Sequence, residues 1–330
     1  MDTSNYDYAL PKKAIAQQPL VSRGSSRLLV GEEPVKHKKT KDLPDLLQEG
    51  DLLVLNETRV MPSRMRFRKA TGGLVEILAL EEREGGSWEA LIRPSKKVPA
   101  GTDLTNDDGD SVIRIGETSD IGTRYVYPLH ESMQELFHKY GEVPLPPYIE
   151  GSLEDDERYQ TVFANRESSV AAPTAGLHLT EETLEQCLNL GVQVTKLELS
   201  VGIGTFRPIS TEKIENHIMH GESYALSEDT WALCKQAKRV VAVGTTVVRA
   251  LESVAITGKL VGRTDLFIAP GFEFKIVDAL MTNFHLPRSS LLVMIDAFVG
   301  KRWKELYRIA LKEDYRFLSF GDAMFVERPK

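Results

Sequence analysis

The chain has 330 residues, with 42% hydrophobic and 27% charged side chains. These are ordinary globular proportions that exclude a disordered tail or a collagen-like repeat and leave room for about two domains. Forty-one Lys+Arg against 48 Asp+Glu give a formal charge of −7, so no global basic field holds nucleic acid and any RNA contact has to be local.

Cys187 and Cys234 lie far apart without metal-ligand spacing, which fits small buried residues in a reducing compartment better than a disulfide framework. The first residues carry Asp2 and Asp7 and no apolar run, and Asp296 interrupts the most apolar stretch, residues 291–299. The expectation is a soluble, cytoplasmic protein with no membrane contact.

In chain order, residues 52–56 follow the turn Gly50-Asp51 as a short buried strand, with a polar end at Asn56-Glu57-Thr58-Arg59. From about Met61 to Tyr127 the texture changes to short strand-like pieces at 74–80, 88–92, 112–115 and 125–127, separated by turns at Gly72-Gly73, Gly85-Gly86 and 106–109. Pro144, Pro146 and Pro147 then make a rigid extended connector.

After residue 160 helix and strand alternate, as in a layered α/β domain. Residues 180–190 form a helix with a Thr180 N-cap and Gly191 at its end. Residues 192–199, 240–243 and 266–269 read as strands, 247–255 and 301–312 as helices. The expected organisation is α/β: a layered main domain built from both chain ends, 1–61 and 149–330, with an all-β domain inserted at 62–148.

Several segments carry groups suited to chemistry. Gly202-Ile203-Gly204 is not a dinucleotide fingerprint, because Arg207 and Pro208 replace its last glycine and helix start. It is either a close approach of backbone to a ligand, with Thr205 adding a hydroxyl, or a tight turn. His217, His220 and Glu222 form H-x-x-H-x-E, which departs from the H-E-x-x-H spacing; they are an acid–base or binding pair, a structural pair or, least by that spacing, metal ligands. The run 169–178 exposes backbone beside Thr174, Gly176 and His178, for a flat ligand or for close packing.

Gly244-Thr245-Thr246 sits at a strand-to-helix turn whose free N–H groups suit a carboxylate, with Arg249 one turn further on, unless the turn is unoccupied. Asn283-Phe284-His285 places a π-face between an amide and an imidazole, suited to a purine or to loop packing. Arg59, Arg64, Arg66 and Arg68 come with no acid in the run to Lys69, and a strand would put the last three arginines on one face. With Lys96 and Lys97 they make a phosphate-binding stripe or a solvated strand edge.

Taken together, Tyr6-Asp7-Tyr8, Asn56-x-Thr58-Arg59-Val60, Pro144-Leu145-Pro146-Pro147-Tyr148, Ser169 to His178, Val201-Gly202-x-Gly204-Thr205-Phe206-Arg207-Pro208, Met219-His220, Gly244-Thr245-Thr246, Thr282 to Pro287 and Gly321-Asp322-Ala323-Met324 closely resemble one family. It is the S-adenosylmethionine:tRNA ribosyltransferase-isomerases of bacterial queuosine biosynthesis, and the likeness runs over essentially the whole chain. The chain departs from the family pattern at Ser168, Leu179, Ser200 and Gly221; Ser200 stands where a histidine is common.

The resemblance implies transfer and isomerisation of the ribosyl part of S-adenosylmethionine onto 7-aminomethyl-7-deazaguanine at the wobble position of tRNA, giving epoxyqueuosine, adenine and methionine. It also implies a barrel-like inserted domain, no metal, no cofactor, since S-adenosylmethionine is consumed, and a monomer. A sulfonium acidifies the ribose C5′ protons, the attacking amine must be unprotonated, and adenine leaves better when protonated.

His178, His220 and His285 are accordingly the expected acid–base groups, with Glu222 orienting a partner. Thr174, Gly176, Gly202, Gly204, Thr205, Gly244, Thr245, Thr246, Arg249, Asn283 and Phe284 are expected to hold S-adenosylmethionine. Arg59, Arg64, Arg66, Arg68, Lys96 and Lys97 are expected to meet tRNA phosphates. A methyltransferase would release S-adenosylhomocysteine instead, and a non-catalytic RNA-binding module would consume nothing.

Overall fold

A computed structural model describes residues 1–119, 122–202, 208–219 and 221–329. In chain order the strands are β1 (Arg27–Val30), β2 (Lys36–Lys39), β3 (Asp51–Asn56), β4 (Thr58–Val60), β5 (Arg64–Lys69) and β6 (Leu74–Glu82). They continue as β7 (Trp88–Arg93), β8 (Asp103–Thr105), β9 (Ser111–Thr118), β10 (Arg124–Pro128), β11 (Arg166–Ser169) and β12 (Gln193–Leu199). The last are β13 (Glu222–Ala225), β14 (Arg239–Val243), β15 (Val261–Thr264), β16 (Ala279–Asn283) and β17 (Ala323–Glu327). The α-helices are α1 (Met133–Tyr140), α2 (Glu181–Asn189), α3 (Glu228–Gln236), α4 (Thr245–Thr257), α5 (Ser290–Val299) and α6 (Trp303–Lys312).

The chain divides into two compact units. The first takes Met1–Arg59, Pro146–Glu167 and Ala172–Lys330; the second takes Val60–Leu145 and Ser168–Ala171. The first is built on a nine-stranded sheet in the order β15-β13-β12-β3-β14-β16-β17-β1-β2. Strands β12, β3, β14 and β16 are mutually parallel, with Val54 opposite Thr195 on one side and Ala242 on the other. β17 then runs antiparallel to β16 and parallel to β1.

β3 is buried at all six positions, as its continuous apolar run requires for a strand covered on both faces. On one face Leu53, Leu55, Val241, Val243 and Met281 pack with Leu179 and Cys187. Thr180 caps α2 by accepting the Thr183 N–H at 3.1 Å, and Gly191, at φ +78°, follows the helix. Both ends therefore fall where the local residue types put them.

One strand reading differs from the structure, and one central strand was not read from the sequence. Residues 266–269 are not a strand; the chain turns away after β15, and the apolar Ile268 is buried in a loop. The strand beside β14 is β16, fully buried, although it ends in the polar Thr282-Asn283.

The second unit is a closed barrel, β10-β7-β6-β5-β8-β9, with every pairing antiparallel. Helix α1 was not anticipated. Its capping box, in which the Ser132 N–H donates to Glu135 Oε2 at 2.7 Å and the Glu135 N–H to Ser132 Oγ at 3.3 Å, was nevertheless legible as S-x-x-E. Phe137 and Tyr140 of α1 pack edge-on against Trp88 and Phe67, with centroids 5.2 and 5.4 Å apart. Both cysteines are buried and free. No helix of the described residues is long and apolar enough to cross a membrane.

Candidate active site

Because β3, β14 and β16 are parallel, their carboxyl ends share one edge of the sheet, the edge at which open α/β sheets bind ligands. A cleft with about 610 Å³ of empty space, including its open mouth, lies there. Gly244-Thr245-Thr246 follows β14 into it, Thr282-Asn283-Phe284-His285 continues from β16, and Thr174, Tyr148, Ser289 and Ser319 close its sides. Three of the segments singled out in the sequence, 169–178, 244–246 and 283–285, thus contribute to one cavity.

Gly244 has φ +96° and ψ 149°, a conformation that is almost exclusive to glycine. It turns the chain from β14 into α4, so the amides of the first turn point outward and the positive end of the helix meets the cleft. A Cβ on Gly244 would touch Thr246 Oγ1 at 3.5 Å and Ala175 Cβ at 3.6 Å, so conformation and not space requires the glycine. Asn56 at the end of β3 braces this corner, donating to Leu199 O at 2.9 Å and to Thr246 Oγ1 at 3.4 Å.

Asn283 ties three segments together. Its Oδ1 accepts from Thr174 Oγ1 at 2.9 Å, and its Nδ2 donates to Leu318 O at 3.1 Å and to His178 Nε2 at 3.0 Å. His178 is therefore an acceptor at Nε2 and must carry its proton on Nδ1, which donates to Ser26 Oγ at 2.8 Å. Burial, followed by the Arg316 and Arg23 charges, lowers its pKa to about 4, so the ring is neutral at pH 7. His178 stands behind Asn283 and does not itself line the cleft.

His285 does line it. Burial alone lowers its pKa to about 3. Its Nε2 lies 3.1 Å from Thr282 Oγ1, and its backbone is clamped by Tyr307, which accepts the amide N–H at 2.9 Å, and Tyr8, whose hydroxyl donates to the carbonyl at 2.5 Å. Tyr148, which directly follows Pro146-Pro147 and carries no sequence signal of a site residue beyond that, shares a hydrogen bond of 2.7 Å with Ser319. Its phenol is pushed up to about 12 by burial. Among the described residues lining the cleft, His285 and Tyr148 are the titratable ones.

Other expectations are corrected by geometry. Arg249 is buried in an ion pair with Glu222 and donates to Thr264 O at 3.2 Å, while Glu222 Oε1 also accepts the Gly202 N–H at 2.8 Å. Neither charged group lines the cleft, so Arg249 is not placed to hold a carboxylate there. Phe284 has no exposed surface: it stacks on Phe317 at 4.8 Å and meets Tyr307 and Tyr315 edge-on. Its ring belongs to the aromatic core under the cleft and offers no free face to a base.

Gly176 is a packing glycine. A Cβ there would lie 2.8 Å from the Phe163 ring and 2.9 Å from Thr161 Cγ2. Gly204, Thr205 and His220 lie outside the described residues. Among the described residues no three His, Cys, Asp or Glu side chains converge as a metal site.

The basic positions are partly neutralised within their own units. Arg59 pairs with Glu157 in the first. In the second, Arg66 and Arg68 stand on the exposed face of β5, Arg66 2.6 Å from Glu142 and Arg68 3.4 Å from Asp107. Arg64 donates to Leu145 O at 3.3 Å. Lys96 and Lys97 are exposed in a short turn.

Residues 3–326 match the family model described as queuosine biosynthesis protein. Curated relatives from Thermotoga petrophila and Thermotoga maritima, both named S-adenosylmethionine:tRNA ribosyltransferase-isomerase, are each 47% identical over 99% of this chain and 100% of their own length. A crystal structure of the S-adenosylmethionine tRNA ribosyltransferase from Thermotoga maritima superposes with a TM-score of 0.56 and 36% identity, covering 98% of this chain and 100% of that one.

Proposed function

Because the chain belongs to the queuosine biosynthesis family, we infer that the cleft at the carboxyl ends of β14 and β16 is where it works on S-adenosylmethionine. The enzyme is an S-adenosylmethionine:tRNA ribosyltransferase-isomerase, which transfers and isomerises the ribosyl moiety of that substrate onto tRNA. The observation that carries this reading is a match along nearly the whole chain that includes every segment lining the cleft. The acceptor is the 7-aminomethyl-7-deazaguanine wobble base, the enzyme acts as a cytoplasmic monomer, and S-adenosylmethionine is consumed with no further cofactor.

In this reading the methionine carboxylate sits on the amides of Thr245 and Thr246, at the positive end of α4. Asn283 and Thr174 orient the nucleoside part, and His178, held neutral behind Asn283, positions that amide. His285 is the proton carrier at the cleft wall. Its neutral Nδ1 or Nε2 takes the acidified ribose C5′ proton, and the buried imidazolium that results is a strong acid, suited to pass the proton to departing adenine. His220 remains a second acid–base candidate. Glu222 acts through Arg249 and the Gly202 backbone. Arg59, Arg64, Arg66, Arg68, Lys96 and Lys97 meet tRNA phosphates.

Incubation with S-adenosylmethionine and precursor-bearing tRNA, followed by nucleoside mass analysis, tests the reading. Epoxyqueuosine with free adenine and methionine is the expected result. S-adenosylhomocysteine would mark a methyltransferase, and unconsumed S-adenosylmethionine a binding protein. Single-turnover adenine release that is unchanged in both His285→Ala and His220→Ala would remove the acid–base assignments.

A further inference from the structure

Beside the cleft lies a smaller pocket, with about 310 Å³ of empty space including its open mouth, lined among others by Ser22, Arg23, Ser26, Arg158, His178 and Ser319. Ser319 also lines the cleft, so the two cavities share a wall. Three arginines converge on this region from distant parts of the chain. Arg23 donates to Leu177 O at 3.2 Å and Glu157 O at 2.7 Å, Arg158 to Val21 O at 2.9 Å and Leu20 O at 2.6 Å, and Arg316 to Gln18 O.

All of these acceptors are backbone carbonyls. Among the described residues no carboxylate lies within ion-pair distance of the three guanidiniums, unlike Arg249 and the half-buried Arg239, which face Glu222 and Asp51; the buried Arg124 is likewise held by backbone carbonyls, those of Val98 and Gly116, but it does not line this pocket. The nearby Glu157 carboxylate is committed to Arg59. Arg158 Nε and Arg316 Nη1 are buried donors without a partner.

The positive field is dense enough to act on its own members. Arg23 is lowered first by burial and then by Arg158, with Asp155 and Glu157 acting in the opposite sense, and His178 is lowered first by burial and then by Arg316 and Arg23. Guanidiniums that line an open pocket without a paired carboxylate suit an anion, because their forked donors match the non-bridging oxygens of a phosphate.

We propose that the pocket formed by Arg23 and Arg158, backed by Arg316, binds one backbone phosphate of the tRNA substrate and so seats the acceptor nucleotide against the adjoining cleft. The inference rests on the tRNA-dependent function above. A phosphodiester fits better than the methionine carboxylate, because the carboxylate already has the α4 amides within the cleft, and a polyanion meets a three-arginine field at the lowest cost.

The test compares wild type with Arg23→Ala/Arg158→Ala and with Arg23→Lys/Arg158→Lys, measuring KM for tRNA, KM for S-adenosylmethionine and the salt dependence of tRNA binding. The alanine variant is expected to raise KM for tRNA by about tenfold or more and to flatten the slope of log K against log salt by about 1, the share of one phosphate. The lysine variant recovers most of both, and KM for S-adenosylmethionine moves less than about twofold. At fixed ionic strength, inorganic phosphate competes with tRNA in the wild type and loses that effect in the alanine variant.

An unchanged salt slope overturns the proposal and leaves the arginines as braces for residues 18–21. A rise confined to KM for S-adenosylmethionine overturns it in favour of the carboxylate. A wild-type enzyme that does not bind tRNA at all overturns the functional reading, and this proposal with it.

Discussion

His178 Nε2 accepts a hydrogen bond from the Asn283 amide at 3.0 Å, and the two residues lie 105 positions apart in the chain. The same amide also donates to Leu318 O, so its nitrogen end is fixed and the histidine can only accept. Protonating Nε2 would set two donors against each other in a buried contact. A histidine that looks like an acid–base group in the sequence thus works in the fold as a positioning residue for an amide at the cleft wall.

The pH dependence of stability follows from this arrangement and from His285. Both rings have folded-state pKa values below the ordinary 6.5, at about 4 for His178 and about 3 for His285. Between those values and 6.5 the unfolded chain binds protons that the folded chain refuses. Stability is therefore complete above pH 6.5 and falls as pH drops through that window, by about 1.4 kcal/mol per pH unit for each ring. Urea unfolding across pH 4.5–7.5 checks it: His178→Gln and His285→Gln should each remove one ring's share of the slope.

The Glu222–Arg249 pair is expected to behave as a buried structural pair. Arg249→Met removes the cation that pairs with Glu222 in the buried site and should cost about 3–5 kcal/mol of stability, whereas Glu222→Leu/Arg249→Met recovers most of that loss. A double-mutant cycle by chemical denaturation reads the coupling. If Arg249→Met instead keeps wild-type stability and loses only affinity for S-adenosylmethionine, the arginine is a ligand-binding residue after all.

What was legible in the sequence was local. The α2 caps at Thr180 and Gly191, the buried run of β3 and the glycine turn at Gly244 all declare themselves within a few residues. β16 is hard to see in the sequence because a central strand that ends at a binding edge carries polar residues there, here Thr282-Asn283. Residues 266–269 were misread in the opposite sense, because an apolar run in a buried loop has no periodicity to separate it from a strand.

Pairings across long separations were invisible. Nothing near Arg249 says that Glu222 will neutralise it, and Arg23, Arg158 and Arg316 are too scattered to form a motif. Phe284 looked like a ligand platform because its partners Phe317, Tyr307 and Tyr315 come from the far end of the chain.

The basic face of β5 makes a graded prediction. Arg66 and Arg68 already have acidic neighbours in Glu142 and Asp107, so a phosphate must displace an existing exposed partner and gains less than at an unpaired arginine. Replacing Arg64, Arg66 and Arg68 together by Ala should weaken tRNA binding and flatten its salt slope, by less than about 1 per arginine. Binding measured at several salt concentrations decides it, and equal slopes for wild type and variant would take β5 out of the tRNA interface.

Gly244 is where fold and chemistry depend on one backbone conformation. With φ +96° and ψ 149°, Gly244→Ala places an L residue in a region that costs about 1–3 kcal/mol, although the surrounding atoms leave room for a methyl group. The strain can be relieved only by rotating the first turn of α4, which turns the Thr245 and Thr246 amides away from the cleft. Lower thermal stability should therefore come with a higher KM for S-adenosylmethionine, while tRNA binding measured without S-adenosylmethionine stays close to wild type. A variant that loses stability but keeps its KM would place the methionine carboxylate elsewhere and return the α4 terminus to a purely architectural role.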